Sequence, residues 1–428
     1  MPVSHRALAC TAIYIGSDLT ADGSTLFARS EDISNSYSFT TFSDDNGSGV
    51  DGACPDCGGT HKHTPYGAAG TNEMGVTVTA TETIGGSDAV YEIDPYEDLG
   101  IEEAEIPTIL LSEAATAREA LDLLLGIYDT AGCCGGSGLF IADNTETWYV
   151  ENVTGHQYVA LKLNGSLAFT VPNISVISLI DLDSTENVIA SEGIISVAKE
   201  ASTYVGDEEA NTIDYVASYN ADQTANSRMV DALKYFNAET ATDEPANGAY
   251  TISNVDAEGN IVPLYTGIAL DHAFSVEDIV GFYDISDIGS SRNLETHIFQ
   301  IFAEDGPTDT VEWVAMNNAS MSAFVPYYPM LTTDTYAGYQ LSTAEAVFTE
   351  EEPAGAEVYY ATTTTVRTDE GRETVEGYRA AGELGGFHLL DVRRAVQSGG
   401  VRRPDGRADR RDRRRTGRAA GAVLRRLR

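Results

Sequence analysis

The amino-acid sequence predicts an α+β protein of layered antiparallel sheets with helices grouped beside them. Three observations carry that expectation. Strand-like segments dominate residues 11–183, turn residues rather than helices separate most of them, and helical periodicity is confined to a few isolated windows. Such a pattern favours an α+β layered domain over a βαβ repeat. The sequence shows no internal repeat and no heptads.

Taken in order, TAIYIGS, STLFARS, GVTVTATETI, GLFIAD, TWYVENV, QYVALKL and LAFTVPN read as strands. They are rich in β-branched and aromatic residues, and several alternate with period two. Residues 112–128, SEAATAREALDLLLGIY, carry apolar side chains at helical spacing and predict a helix that ends near Gly132. Further helices are expected at about 187–201, 228–236 and 276–284. Two polar or Gly-rich stretches, 43–70 and 202–224, read as long loops, a length that in a compact domain marks lids, binding loops or disorder.

Charge divides the chain. The first 366 residues hold nine basic side chains against 57 acidic ones, whereas residues 367–428 hold 17 arginines against nine acids. A body this acidic repels polyanions, which excludes nucleic acid and anionic membrane as natural partners. Salt-rich or extracellular surroundings suit it. No run of 18 apolar residues exists, so no transmembrane helix is expected.

The tail from about Arg367, ending DGRADRRDRRRTGRAAGAVLRRLR, is a compositional break. It reads either as a basic nucleic-acid arm or as GC-rich DNA translated out of frame. Only five arginines precede residue 367, which favours the second reading: an out-of-frame or disordered tail, with the authentic C-terminal part missing.

At the other end, Ala7-Leu8-Ala9 before Cys10 has the small-residue form of a signal-peptidase site, but MPVSHRALA lacks an apolar h-region. Residues 1–9 therefore read as a propeptide or a truncated signal remnant. Secretion or a cell-surface location is the expectation, with the cytoplasm as the alternative.

Removing residues 1–9 would make Cys10 a new N-terminus. Its free α-amine, with a pKa near 7.7–8.0, would be a usable base at neutral pH, so that thiol and base belong to one residue. The return from TAIYIGS through DGST into LFARSED brings Arg29 and Asp32 back beside it. A guanidinium there favours thiolate, and a carboxylate holds the amine. The bland alternatives are a buried cysteine that acts as a small hydrophobe and a surface Arg29–Asp32 ion pair worth little.

The segments C-T-x-I-x-x-G and D-G-S-T-x-x-A-R-x-E-D resemble the opening of the C69 peptidases, cysteine dipeptidases of the N-terminal nucleophile (Ntn) hydrolase superfamily. The resemblance continues through GTNEMGVTVTATETI, IADNTETWYVENVTGHQYVALKL, FTVPNISVISLIDLDS, ETHIFQIF and VEWVAMNNASMSAFVPYY. It covers about residues 10–350 and fails in the tail.

It implies an Ntn-hydrolase αββα four-layer sandwich with two stacked antiparallel sheets, spanning residues 10–366. It makes Cys10 the nucleophile, flanked by Arg29 and Asp32, with Asn173 as oxyanion donor. Thr81 and Glu82, the TE of the dipeptidase branch, and Arg228, by a weaker local match, become substrate-binding residues. The implied chemistry requires no metal and no organic cofactor, and the implied partners are small peptide substrates, with a homo-oligomer compatible. An amidase acting on N-acyl amino acids or bile-salt-type amides, or an inactive truncated product, are the alternatives.

Cys54 and Cys57 with His61 and His63 have ligand types suited to zinc, though at no standard finger spacing. Together with Cys133 and Cys134 they leave three states open: disulfides between the two loops, reduced thiols, or a zinc site. His156 and His297 sit in strand-like text and read as structural.

Overall fold

A computed structural model describes residues 10–32, 40–42, 49–51, 69–82, 84–220, 227–235, 249–255, 261–264, 270–285, 287–290, 293–303, 310–316, 318–329, 331–332, 348–349, 359–368 and 371–380. The expectations for residues 1–9, for Cys54, Cys57, His61 and His63, and for the tail beyond 380 lie outside the described residues.

Two six-stranded antiparallel sheets dominate. The first runs Ala168–Val171, Thr11–Ile15, Thr25–Asp32, Asn293–Ile301, Val311–Met316, Val325–Tyr327. The second runs Val188–Ala190, Tyr158–Leu163, Thr147–Asn152, Ser137–Ala142, Thr77–Glu82, Ala69–Thr71. All seven strands expected from pattern are present within these two sheets.

Side-chain alternation sorts each strand between two cores. Ala12, Tyr14 and Phe27 of the first sheet face Phe140, Tyr149 and Leu161 of the second and form the central core. From the opposite face of the first sheet, Ile13, Ile15, Leu26 and Ala28 pack on Ile279 and Phe282 of the helix Val276–Phe282. On the far side of the second, Leu139, Ile141, Trp148 and Val150 pack on Leu110, Leu121 and Leu124 of the helices Ile106–Glu113 and Ala117–Thr130. The order is helix, sheet, sheet, helix, which is the αββα four-layer sandwich expected.

The central core is aromatic. Phe140 stands with its ring centroid 4.9 Å from Tyr149, 5.5 Å from Phe27, 5.9 Å from Phe169 and 6.0 Å from Tyr14, spacings at which ring edges and faces attract.

Three expectations are corrected. The helix expected at 112–128 is two helices broken at 114–116. Thr116 accepts a hydrogen bond from the Glu119 N–H, and Glu119 reaches back to the Ala115 N–H, so a new helix starts at Ala117. The helix expected at 187–201 covers only Ile194–Glu200, because Val188–Ala190 pairs instead with Val159–Leu161 as an edge strand. The stretch 202–224 contains the hairpin Gly206–Asp207 and Thr212–Asp214 and the helix Tyr215–Tyr219. Its short apolar run buries Ile213, Tyr215 and Tyr219, and it joins a five-stranded sheet with Ile177–Asp181, Tyr250–Val255 and Ile261–Leu264.

Near the C-terminal side, Tyr359–Thr368 and Gly371–Ala380 pair as a hairpin with ten residues in each strand. Among the described residues, no helix is long and apolar enough to cross a membrane.

Candidate active site

Cys10 sits at the mouth of the first strand and is buried, 3% exposed. The adjacent hairpin strand supplies Arg29, whose strand neighbour in register is Ala12. Alternation puts Arg29 and Glu31 on the inner face with Phe27, and Asp32 on the face of Leu26 and Ala28. Arg29 is 1% exposed and bonds Glu31 Oε2 at 2.8 Å through Nη2 and Glu103 Oε1 at 3.3 Å through Nη1. This is a buried ion network, not a surface pair.

Asp32 is equally buried and accepts from the side-chain amide of Asn293, its partner across the sheet. Next along the strand Asn293–Ile301, Glu295 and His297 lie opposite Glu31 and Arg29. His297 Nδ1 is 3.0 Å from both Glu295 oxygens, and Nε2 is 2.7 Å from Thr79 Oγ1 of the second sheet. Histidine therefore bridges the two sheets, in keeping with its structural reading.

The electrostatics of this cluster are set by burial. Desolvation pushes the Cys10 thiol up to about 12 from an ordinary 9.0; Arg29 opposes the rise, and Glu103, Asp32 and Glu31 add to it. Burial likewise pushes Glu295 up to about 8, against the pull of Arg29.

A third element reaches the nucleophile from far along the chain. Arg228, on the helix Ser227–Tyr235, donates through Nη1 to the Cys10 carbonyl and to Thr11 Oγ1 at 2.8 Å. Through Nη2 it donates to the Pro172 carbonyl at 3.0 Å and to Asn173 Oδ1. That contact fixes the acceptor end of the Asn173 amide and leaves Nδ2 as its donor end. Asn173 holds a left-handed backbone with φ 62°, a conformation asparagine tolerates better than most residues. The Tyr283 hydroxyl adds a 3.0 Å bond to the Thr11 carbonyl.

The structure thus brings Cys10, Arg29, Asp32, Asn173 and Arg228 together. Thr81 and Glu82 close the strand Thr77–Glu82 opposite Gly138 and Ser137; beyond that register they lie outside the described residues. Glu31, Glu103 and Glu295 were not singled out by the sequence. For Glu31 and Glu295 a signal existed, since R-x-E and E-x-H spacings place both residues on one strand face; Glu103 comes from a remote 3₁₀ turn and left none. Cys133 carries a free thiol that bonds the Thr154 carbonyl at 3.0 Å and accepts from Asn152 Nδ2 at 2.8 Å. No group of three or more metal-ligating side chains occurs among the described residues.

A thiol, a guanidinium and an oriented amide converge at the mouth of an αββα sandwich. A family model described as peptidase family C69 matches residues 50–367. The chain belongs to peptidase family C69 and is a hydrolytic peptidase. The matched span begins after Cys10, Arg29 and Asp32, and includes Asn173 and Arg228.

Among curated relatives, the chain is 29% identical over 378 residues to a probable dipeptidase B of Streptococcus pyogenes serotype M18 (strain MGAS8232), covering 78% of this chain and 74% of that one. It is 27% identical over 357 residues to a probable dipeptidase of Salmonella dublin, covering 76% and 81%. Among solved structures, penicillin V acylase from Agrobacterium tumefaciens aligns over 72% of this chain and 82% of that one, with TM-score 0.33 and 12% identity.

Proposed function

We propose that this peptidase is a cysteine dipeptidase whose nucleophile is Cys10, liberated as an N-terminus by removal of residues 1–9. The observation that carries the reading is the convergence on Cys10 of Arg29, from the neighbouring strand, and of Asn173, through Arg228. The dipeptidase names of the relatives support the substrate class.

Burial makes a base necessary. With burial pushing the thiol up to about 12, the thiol form dominates at neutral pH and sulfur must lose its proton as it attacks. The α-amine of a liberated Cys10 takes the thiol proton as sulfur attacks the peptide carbonyl, then delivers it to the departing amine. A thioester remains. Water attacks it with the same amine as base, releasing the N-terminal amino acid and the thiol.

Asn173 donates through Nδ2 to the oxyanion, and such a donor is worth about 3–4 kcal/mol in the transition state. Arg29 offsets part of the field of the surrounding carboxylates. Arg228 orders Cys10 and Asn173, and the family resemblance assigns Arg228, Thr81 and Glu82 to substrate binding.

A panel of dipeptides against N-acyl amino acids, run with the wild type and Cys10→Ala, tests this. Cleavage of dipeptides that disappears in Cys10→Ala is the expected result. Dipeptide hydrolysis surviving in Cys10→Ala, or a preference for acyl-amides, contradicts it.

A further inference from the structure

We propose that Glu151 is a positioning residue that holds the Asn173 turn against the nucleophile; this rests on the reading of Asn173 as oxyanion donor. Glu151 lies on the strand Thr147–Asn152 of the second sheet, on the same face as Tyr149, where alternation calls for an apolar side chain. It is fully buried. A carboxyl group in that position is costly unless its hydrogen bonds compensate.

One of those bonds goes to the turn. Glu151 Oε1 accepts from the Val176 N–H at 2.7 Å and from the Tyr149 hydroxyl at 2.8 Å. Val176 is three residues beyond Asn173, at the far end of the segment that carries the left-handed asparagine. Arg228 holds the near end, through the Pro172 carbonyl and the Asn173 side chain. The turn is therefore pinned at both ends, by a guanidinium on one side and a carboxyl group on the other.

Glu151 Oε2, Ser175 Oγ and Tyr215 Oη are buried and have no hydrogen-bond partner among the described residues. Burial pushes the Glu151 carboxyl up to about 7, while the Val176 N–H and the Tyr149 hydroxyl pull it down. A carboxyl group placed only for packing would be replaced without consequence by an apolar residue of its size. One placed to fix Asn173 would not, because a misplacement of about 1 Å in a catalytic group costs on the order of 100-fold in rate.

Kinetics on a dipeptide panel distinguish the cases. Glu151→Leu is expected to lower kcat by about tenfold to 100-fold with KM little changed. The rate at which iodoacetamide alkylates Cys10, read on the Cys10 peptide by mass spectrometry, is expected to stay at the wild-type value, since alkylation forms no oxyanion. Glu151→Gln keeps an oxygen for both donors and is expected to restore kcat. Asn173→Ala is expected to lose about 100-fold, and adding Glu151→Leu to it is expected to cost nothing further.

If Asn173→Ala keeps full activity, the oxyanion reading falls. If Asn173→Ala is impaired while Glu151→Leu turns over at the wild-type kcat, or the two losses multiply, the role of Glu151 is overturned. Should Glu151→Leu fail to fold, replacing the Val176 amide by an ester removes the same hydrogen bond with every side chain intact: a lowered kcat upholds the proposal and an unchanged kcat overturns it.

Discussion

The guanidinium of Arg228 donates to the main-chain carbonyl of Cys10 across a separation of 218 residues. Its second nitrogen holds Pro172 and Asn173. Nucleophile and oxyanion turn are thereby referenced to a single rigid group, whose planar fork a lysine cannot reproduce. Arg228→Lys is expected to lower kcat about tenfold or more with the fold retained. Arg228→Met additionally strands buried acceptors and is expected to cost about 1–3 kcal/mol in denaturant unfolding. Wild-type kcat in both variants would contradict the ordering role.

The buried thiol predicts a pH signature. In chains that still carry residues 1–9, alkylation of Cys10 is expected to climb about tenfold per pH unit from 7 to 10, because the thiol titrates near 12. A plateau near pH 8.5 in such chains would contradict the burial. The folded thiol holds its proton above the ordinary 9.0, so its stabilising contribution is present below pH 9 and is lost as pH rises toward 12.

Glu151 gives a second linkage. Its carboxyl is raised from 4.5 to about 7, so the protonated form is favoured in the folded state. That stability is fully present below pH 4.5 and lost as pH rises through 7. Melting temperature is expected to fall across this window, and Glu151→Gln, which cannot ionise, is expected to flatten the slope. An identical slope in the variant would contradict the assignment.

Phe140 touches four other rings in the central core. Phe140→Ala is expected to cost about 3–5 kcal/mol in chemical denaturation. A loss below about 1 kcal/mol would contradict the packing of the two sheets.

The sheets were legible because their signal is local. Alternation in TAIYI and TWYVEN sorts Tyr14 and Tyr149 into one core and Ile13 and Trp148 into others. The helix Ile106–Glu113 went unread because Pro107 opens it and the break at Thr116 is set by one side-chain cap. The strand Val188–Ala190 was hidden because pairing with Val159–Leu161, not local periodicity, decides it. Cys10, Arg29 and Asp32 were named from motifs in neighbouring strands, and Asn173 from the family resemblance. Glu103 and Glu151 were not, since their partners are 74 and 25 residues away, and an acidic residue stands out little among 66.

The central claim is that one residue supplies both sulfur and base, and intact mass with N-terminal sequencing of catalytically active protein tests it most directly. The account predicts that active chains begin at Cys10. Full dipeptidase activity in chains that retain residues 1–9 would contradict it.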